Sequence, residues 1–348
     1  MKTKLLECVP NFSEGRDTAR IQQIAEAIEM VAGVKLLNID SGKAANRTVM
    51  TFAGEPQAVA EAAFQAIQTA AEVIDMRQQK GAHPRMGATD VCPFIPLNGC
   101  TMAEAVGVAR AVAKRVGEEL MIPVFLYEEA ALQKGRTNLS RIRRGEYEGM
   151  AAKMQQPGWE PDFGPGELNP KTGASVIGAR DFLIAYNINL NTTSAEKAHE
   201  VAEQIRESGR RITSVHPETG EQQHEMVPGT LKKVKALGWF IEEYGLAQIS
   251  MNLTHFHTTS IHQAFDEATR VAEEMGLRVT GSEIVGMVPL EVMKLAGEHY
   301  YRKQGMSSGV SDEALVEMAI RSLGLNDSVE FDPNQKIIEW RLRNLEES

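Results

Sequence analysis

The chain has 348 residues, 43% of them hydrophobic and 24% charged, with a formal net charge of −10. That length suggests about two packed units of roughly 150 residues each. The acidic balance argues against a nucleic-acid or anionic-membrane partner, because even the Lys232, Lys233, Lys235 cluster is short.

No apolar run approaches the roughly eighteen residues of a membrane span. The opening residues, MKTKLLECVPNF, are interrupted by Glu7 and Pro10 and do not read as a signal peptide. Cys8, Cys92 and Cys100 are irregularly spaced, which predicts free thiols in a reducing cytoplasm rather than disulfides or zinc ligands.

Residues 4–10 read as a strand, followed by the polar turn NFSEGRD, in which Asp17 is a candidate N-cap. A helix over 18–30 carries the stripe Ile21, Ile24, Ala25, Ile28. Strands follow at 34–39 and 47–52, then a helix over 55–76 with Val59, Ala63, Ile67, Ala70 and Ile74 inward. Thr101 and Glu104 form a capping box for a further helix with Ala105, Val108, Ala109 and Val112 inward, and 122–127 is a continuous apolar strand.

After the Pro/Gly-rich stretch 157–173 the pattern restarts. It runs through a strand at 182–190, a helix capped by Thr193 and Glu196, a strand at 247–253, a helix from Ile261 and a strand from Leu277. Asparagines follow both opening strands, at Asn11 and at Asn187/Asn189. The expected fold is α/β, an α+β sandwich. It has two similar subdomains, each a mixed or antiparallel sheet with helices on one face. The subdomains span 1–180 and 181–303. A helical tail over 304–348, with Leu315, Met318, Ile320 and Leu323, has no counterpart in the first half. Residues 209–229 read as a mobile surface excursion.

The segment KGAHPRMGATDVCPF, residues 80–94, concentrates the chemistry. Pro84 restricts the backbone of His83 toward extended conformations, and Gly81 and Gly87 permit tight backbone on either side. A titratable imidazole thus sits on a stiff connector beside Arg85, whose guanidinium suits an anion, with Asp90 and Cys92 close behind. Taken alone, the segment reads rather as a surface turn with an ordinary solvated histidine. Asp40, Asn46 and Arg47 should crowd one sheet end, near Glu7, Asn11, Ser13 and Arg16 from a neighbouring strand. By composition alone the stretch 164–173 reads as a simple linker. Against that, its glycines would let a ligand approach the backbone closely, and Trp159 and Phe163 just before it offer aromatic faces for a flat heterocycle. His255, His257 and His262 resemble a metal set, but no supporting ligand motif accompanies them. They read as polar residues at a strand end, and no metal is expected.

Seven segments in order carry a resemblance: ECVPNFSEGRD, NRTVMTF, HPRMGATDVCPFIP, PDFGPGELNP, GARDFLIAYNINL, LAQISMNLT and VTGSEIVGMVPL. Over about residues 3–303 the chain resembles the formiminotransferase family. That resemblance implies transfer of a formimidoyl group between N-formimidoyl-L-glutamate and tetrahydrofolate, the co-substrate, in histidine degradation. It also implies a ligand groove between two α/β subdomains, and a cytoplasmic homodimer. The family's catalytic histidine maps onto His83. Its folate-binding loop maps onto Gly164, Pro165, Gly166, Glu167, Leu168, Asn169, Pro170, Lys171, Thr172 and Gly173. With Ser348 as the last residue, a separate cyclodeaminase is expected to act downstream.

The chemistry of that transfer gives His83 the task of moving a proton as amine and amidine exchange. Asp40 is a second catalytic candidate, orienting the imidazole or holding the cationic formimidoyl group. Arg47 and Arg85 are expected to bind the carboxylates of glutamate. A formyl transferase using the same folate site and a non-catalytic folate-binding protein remain the alternatives.

Overall fold

The computed structural model describes residues 4–43, 45–81, 84–215, 222–242 and 244–346. It comprises two compact units, Met1–Asp181 and Phe182–Ser348. His83 lies outside the described residues, as does the centre of the 209–229 stretch.

The first unit runs β1 (Leu6–Cys8), β2 (Asn11–Phe12), α1 (Thr18–Glu29), β3 (Val34–Gly42), β4 (Arg47–Gly54) and α2 (Pro56–Val73). It continues through β5 (Thr89–Pro96), α3 (Met102–Glu119), β6 (Val124–Glu128), α4 (Leu139–Arg143), α5 (Glu146–Met154) and β7 (Ser175–Ala179). Strands β1 and β2 lie end to end between β4 and β5, and β3 pairs with β4 at one edge. All of these pairings are antiparallel. Beyond β5 the sheet continues through β7 and β6 in parallel register.

The apolar stripes do what their spacing predicts. Ile21, Ile24, Ala25 and Ile28 of α1, with Val59, Ala63, Ile67 and Ala70 of α2, bury against Leu6, Phe12, Met50, Phe52 and Phe94 of the sheet. Asp17 caps α1, accepting from the backbone N–H groups of Ala19 and Arg20, and the Thr101–Glu104 capping box forms at α3. Helix α2 stops at Val73, short of residue 76. Ile74 turns extended while staying buried, and Met76 N donates to Lys171 O at 2.8 Å.

Three features of this unit depart from expectation. The NFSEGRD segment starts as strand, Asn11–Phe12, rather than as turn. Residues 89–96 form the buried strand β5 despite Pro93. The missing N–H there falls opposite the Val9–Pro10 break between β1 and β2, where Val9 N donates to Pro93 O at 3.2 Å. The second sheet face is also partly covered: Ile142, Met150 and Met154 from α4 and α5 pack on Val91, Phe125, Tyr127 and Val176. Helices therefore flank both faces of this sheet, not one.

The second unit runs β8 (Ile184–Leu190), α6 (Ala195–Ile205), β9 (Arg210–Val215), β10 (Gln222–Val227), β11 (Val234–Ile241) and β12 (Leu246–Leu253). It then adds α7 (Ile261–Glu274), β13 (Val279–Val285), α8 (Leu290–Lys303), α9 (Asp312–Leu323), α10 (Pro333–Lys336) and α11 (Ile338–Glu346). Its antiparallel sheet has the order β11-β12-β8-β13. The first unit pairs its equivalent strands in the same order, β3-β4-β1/β2-β5, so the repeat seen in the sequence is a repeat of topology. The fold is mixed α/β.

Here too the details differ. Asn187 and Asn189 lie within β8 rather than in a turn, and Ser194, not Thr193, caps α6 by accepting from Lys197 N. The arms of the 209–229 stretch, read from sequence as a surface excursion, form an antiparallel ribbon, β9 with β10. His255 and His257 occupy the turn before α7, not a strand end. Strand β11 was not anticipated. Its Gly238 lets α6 sit directly on the sheet, since a Cβ there would overlap the His199 backbone. Beyond residue 304, Val316, Ala319, Ile320, Leu323, Phe331, Ile337 and Trp340 join the core of this unit. Gly297 of α8 meets the Leu315 backbone of α9 with no room for a Cβ.

Two glycines give opposed expectations. Gly107 lies in α3 with nothing within 4 Å of the position a methyl group would take, so Gly107→Ala should stabilise by about 0.5–1 kcal/mol through helix propensity. Gly297→Ala drives its methyl into the Leu315 carbonyl and should lower the melting temperature. Thermal denaturation of both variants checks the pair; a stable Gly297→Ala would contradict the close α8–α9 contact.

Candidate functional site

A buried polar cluster sits where β2, β4 and β5 end together. Ser13, Glu14, Asn46, Thr48, Gln79, Arg85 and Asp90 are all buried, and buried polar groups persist only when hydrogen-bonded. Gly15 N donates to Asn46 Oδ1 at 3.0 Å, Asn46 Nδ2 to Gln79 Oε1 at 2.6 Å, and Thr48 Oγ1 to Glu14 O at 2.5 Å. Gln79 Nε2 donates to Glu14 Oε2 at 3.2 Å. The NFSEG turn, the start of β4 and the chain entering the His83 segment are thereby joined.

Asp90 is the anionic centre of this cluster. Its Oδ1 accepts from Met86 N at 3.0 Å, and its Oδ2 accepts from both Arg47 Nη1 and Arg143 Nη2 at 2.6 Å each. Arg47 Nε also donates to Asn11 Oδ1 at 3.0 Å. Burial pulls the Arg47 guanidinium below its ordinary value; Asp90 opposes that shift and Arg143 adds to it. Two cations thus share one carboxylate.

Arg85 faces the other way. Nη2 donates to Glu148 Oε1 at 2.7 Å and to Gln79 O at 2.9 Å, and Nη1 reaches Glu148 Oε2 at 3.1 Å and Glu146 Oε2 at 3.2 Å. The hydrogen bonds to Glu148, above all, raise its already high pKa. Tyr147 N closes the contact by donating to Arg85 O at 2.8 Å. Both acids belong to the first turn of α5. Lys153 near the end of that helix donates to the carbonyls of Arg141, Ile142 and Arg144 at 2.8, 2.6 and 3.1 Å, fixing the end of α4 from which Arg143 extends. Burial, with Arg144 and Arg141 nearby, pushes the Lys153 ammonium down to about 8.

The segment after His83 is stitched on two sides. Ser13 Oγ donates to Gly87 O at 2.7 Å and Ser13 N to Ala88 O at 2.9 Å. On the other side Ala88 N donates to Thr172 O at 2.8 Å, Ala174 N donates to Met86 O at 3.1 Å, and Gly87 opposes Gly173 in an antiparallel bridge. A Cβ at Gly87 would overlap Ala174 O, and one at Gly173, which has φ +68°, would overlap Met86 O. Before His83, Gly81 packs on Ala45 with no space for a side chain.

Of the 164–173 stretch, Gly164, Gly166, Glu167 and Pro170 are exposed. Pro165, Leu168, Asn169 and Lys171 are half-buried, and Thr172 and Gly173 are buried. Tyr147 OH donates to Pro170 O at 2.6 Å, so α5 braces this stretch as well as Arg85.

Among the residues singled out from sequence, Asn11, Ser13, Asn46, Arg47, Arg85 and Asp90 come together. Asp40 is exposed on β3 and, two residues from the Gly42–Arg47 pair, shares a sheet face with Arg47. Trp159 and Phe163 are not free aromatic faces. Lys153 Nζ stacks 3.8 Å over the Trp159 ring, and Phe163 packs against the main core while its backbone pairs with Val124. Among the described residues no group of three His, Cys, Asp or Glu side chains could hold a metal ion. Arg143, Glu146 and Glu148 were not anticipated as site residues; the charge-dense run RIRRGEYEG was their one visible signal.

Asp90→Asn keeps the shape and an acceptor for Met86 N but strands two half-buried guanidiniums. Losing one partner of a buried ion pair costs about 3–5 kcal/mol, so the variant should melt several degrees below wild type. An unchanged melting temperature would show that Asp90 does not hold this cluster.

Residues 5–180 match the family model described as formiminotransferase domain, N-terminal subdomain, and residues 185–343 match the formiminotransferase domain. The chain is 47% identical over 341 residues to formimidoyltransferase-cyclodeaminase of Dictyostelium discoideum, a match covering 98% of this chain and 60% of that protein. It therefore spans less than two thirds of that relative's length. It is 42% identical over 317 residues to glutamate formimidoyltransferase of Thermoplasma acidophilum, covering 90% of this chain and 98% of the relative. A glutamate formimidoyltransferase of Streptococcus pyogenes serotype M1 is 39% identical over 297 residues, covering 85% and 93%. On its sequence matches and its paired subdomains, the chain belongs to the formiminotransferase domain family.

Proposed function

We propose that the protein is a glutamate formimidoyltransferase, moving the formimidoyl group between N-formimidoyl-L-glutamate and tetrahydrofolate to give 5-formimidoyltetrahydrofolate and L-glutamate. The observation that carries this reading is the stitching of the segment after His83 to residues 172–174, through Ala88 N to Thr172 O and Ala174 N to Met86 O. It ties the backbone beside a candidate proton carrier to a glycine-rich stretch that a folate could line. Relatives named for this reaction match nearly over their full length.

In this reading the folate lies along residues 164–173. Its amine attacks the amidine carbon of the donor, and a C–N bond forms as that nitrogen gives its proton to His83. An imidazole with an unperturbed pKa near 6.5 accepts it at neutral pH. His83 then returns the proton to the glutamate nitrogen as the second C–N bond breaks. Asp40, on the face shared with Arg47, orients the imidazole or holds the cationic formimidoyl group.

Arg47 binds a substrate carboxylate. Arg85, also expected at a carboxylate, is occupied by Glu146 and Glu148, and its work in this reading is to hold the His83 segment in place. Much of the rate comes from aligning two bound reactants. No metal enters the scheme. The reading extends to a homodimer in the cytoplasm and to a cyclodeaminase activity that takes the product.

Purified protein supplied with tetrahydrofolate should consume N-formimidoyl-L-glutamate and not N-formyl-L-glutamate. His83→Ala should lose about 10²–10⁴-fold in turnover while still binding tetrahydrofolate. Near-normal turnover in that variant removes His83 from the chemistry, and preference for the formyl donor replaces the reaction itself.

A further inference from the structure

Arg143 lies at the end of α4, in a segment with no assigned role, yet it reaches the same oxygen of Asp90 as Arg47 does, each at 2.6 Å. Asp90 is inaccessible, whereas the Arg47 and Arg143 side chains keep 10% and 14% of their surface exposed. One carboxylate therefore balances one of two guanidinium charges, and the remaining positive charge opens to the surface.

Donors are left over as well. Among the described residues, the protein's acceptors take Nε and Nη1 of Arg47 and Nη2 of Arg143, and Arg143 Nε is buried without a partner. A half-buried surplus charge with unmatched N–H groups is costly until an anion arrives. The surplus is a single charge, which fits a monoanionic carboxylate better than a dianionic phosphate. Two guanidiniums locked by a shared counter-ion also supply planar forks that match a carboxylate's two oxygens.

We infer that Arg143 and Arg47 form a two-guanidinium clamp for a carboxylate of a glutamate-type ligand, with Asp90 as the positioning residue that sets their spacing. This deepens the transferase reading and rests on it for the identity of the ligand. Both the amino-acid substrate and the glutamyl tail of folate carry the required group. Arg85 does not compete for the role, because Glu146 and Glu148 already neutralise it.

Calorimetric titration of the full chain with L-glutamate, tetrahydrofolate and tetrahydropteroate, which lacks the glutamyl tail, tests the clamp without relying on turnover. Arg143→Gln should weaken L-glutamate binding by on the order of 10- to 100-fold, as loss of a charge-assisted fork would, and leave tetrahydropteroate binding unchanged. If the clamp takes the folate tail, the preference for tetrahydrofolate over tetrahydropteroate collapses instead. Arg143→Lys keeps the charge and loses the fork, so it should retain the wild-type melting temperature and still bind several-fold more weakly. A folded Arg143→Lys with both affinities unchanged overturns the clamp, as does wild-type protein that binds neither glutamate nor the folate tail. Wild type that binds glutamate through Arg143 but transfers no formimidoyl group overturns the transferase reading and leaves the clamp standing.

Discussion

A carboxylate with no access to water is stable only where the protein replaces every interaction that water gave it, and Asp90 meets that condition with partners from three separate parts of the chain. Arg47 comes from the start of β4, Arg143 from the end of α4, and the Met86 amide from the segment that follows His83. Because an unpaired buried charge costs several kcal/mol, none can leave without the others failing, and the three elements are held in one geometry. The position of Asp90 on β5, a strand buried along almost its whole length, gives that geometry a rigid base.

Around this post the backbone is closed by contacts that tolerate no side chain. Gly81 against Ala45 and Gly87 against residues 172–174 bring chain segments together at distances only glycine permits. Ser13 adds two hydrogen bonds from the opposite side. These contacts fix the described backbone at Gly81 and at Gly87, and alignment of two reactants supplies much of the barrier reduction in a bimolecular transfer. The short helices α4 and α5 complete the arrangement: α5 grips Arg85 through Glu146 and Glu148 and braces Pro170 through Tyr147, while Lys153 secures α4.

Much of this was legible in the sequence, and the rest was hidden for identifiable reasons. Helices α1, α2 and α3 announce themselves through apolar spacing and through Asp17 and the Thr101–Glu104 box, because those signals are local. The doubled topology was visible as a doubled order of strands and helices. Strand β5 was obscured by Pro93, whose tolerance depends on a break in the neighbouring strand that no local pattern reveals. Strand β11 was obscured by Gly238, whose purpose is the approach of α6. Among the candidate residues, His83, Arg47 and the 164–173 stretch stand out through unusual composition or resemblance. Arg143 and Glu148 do not, since an arginine and a glutamate on short polar helices read as solvated surface until their partners are known. The role first expected of Arg85 failed to anticipate those partners for the same reason.

The most direct test is a crystal structure of the protein with a tetrahydrofolate analogue and L-glutamate bound together. The account predicts the pterin against residues 164–173, a ligand carboxylate on the guanidiniums that Asp90 holds, and the His83 imidazole within hydrogen-bonding reach of the nitrogens that exchange the formimidoyl group. Ligands seated elsewhere, with that imidazole turned into solvent, would contradict it.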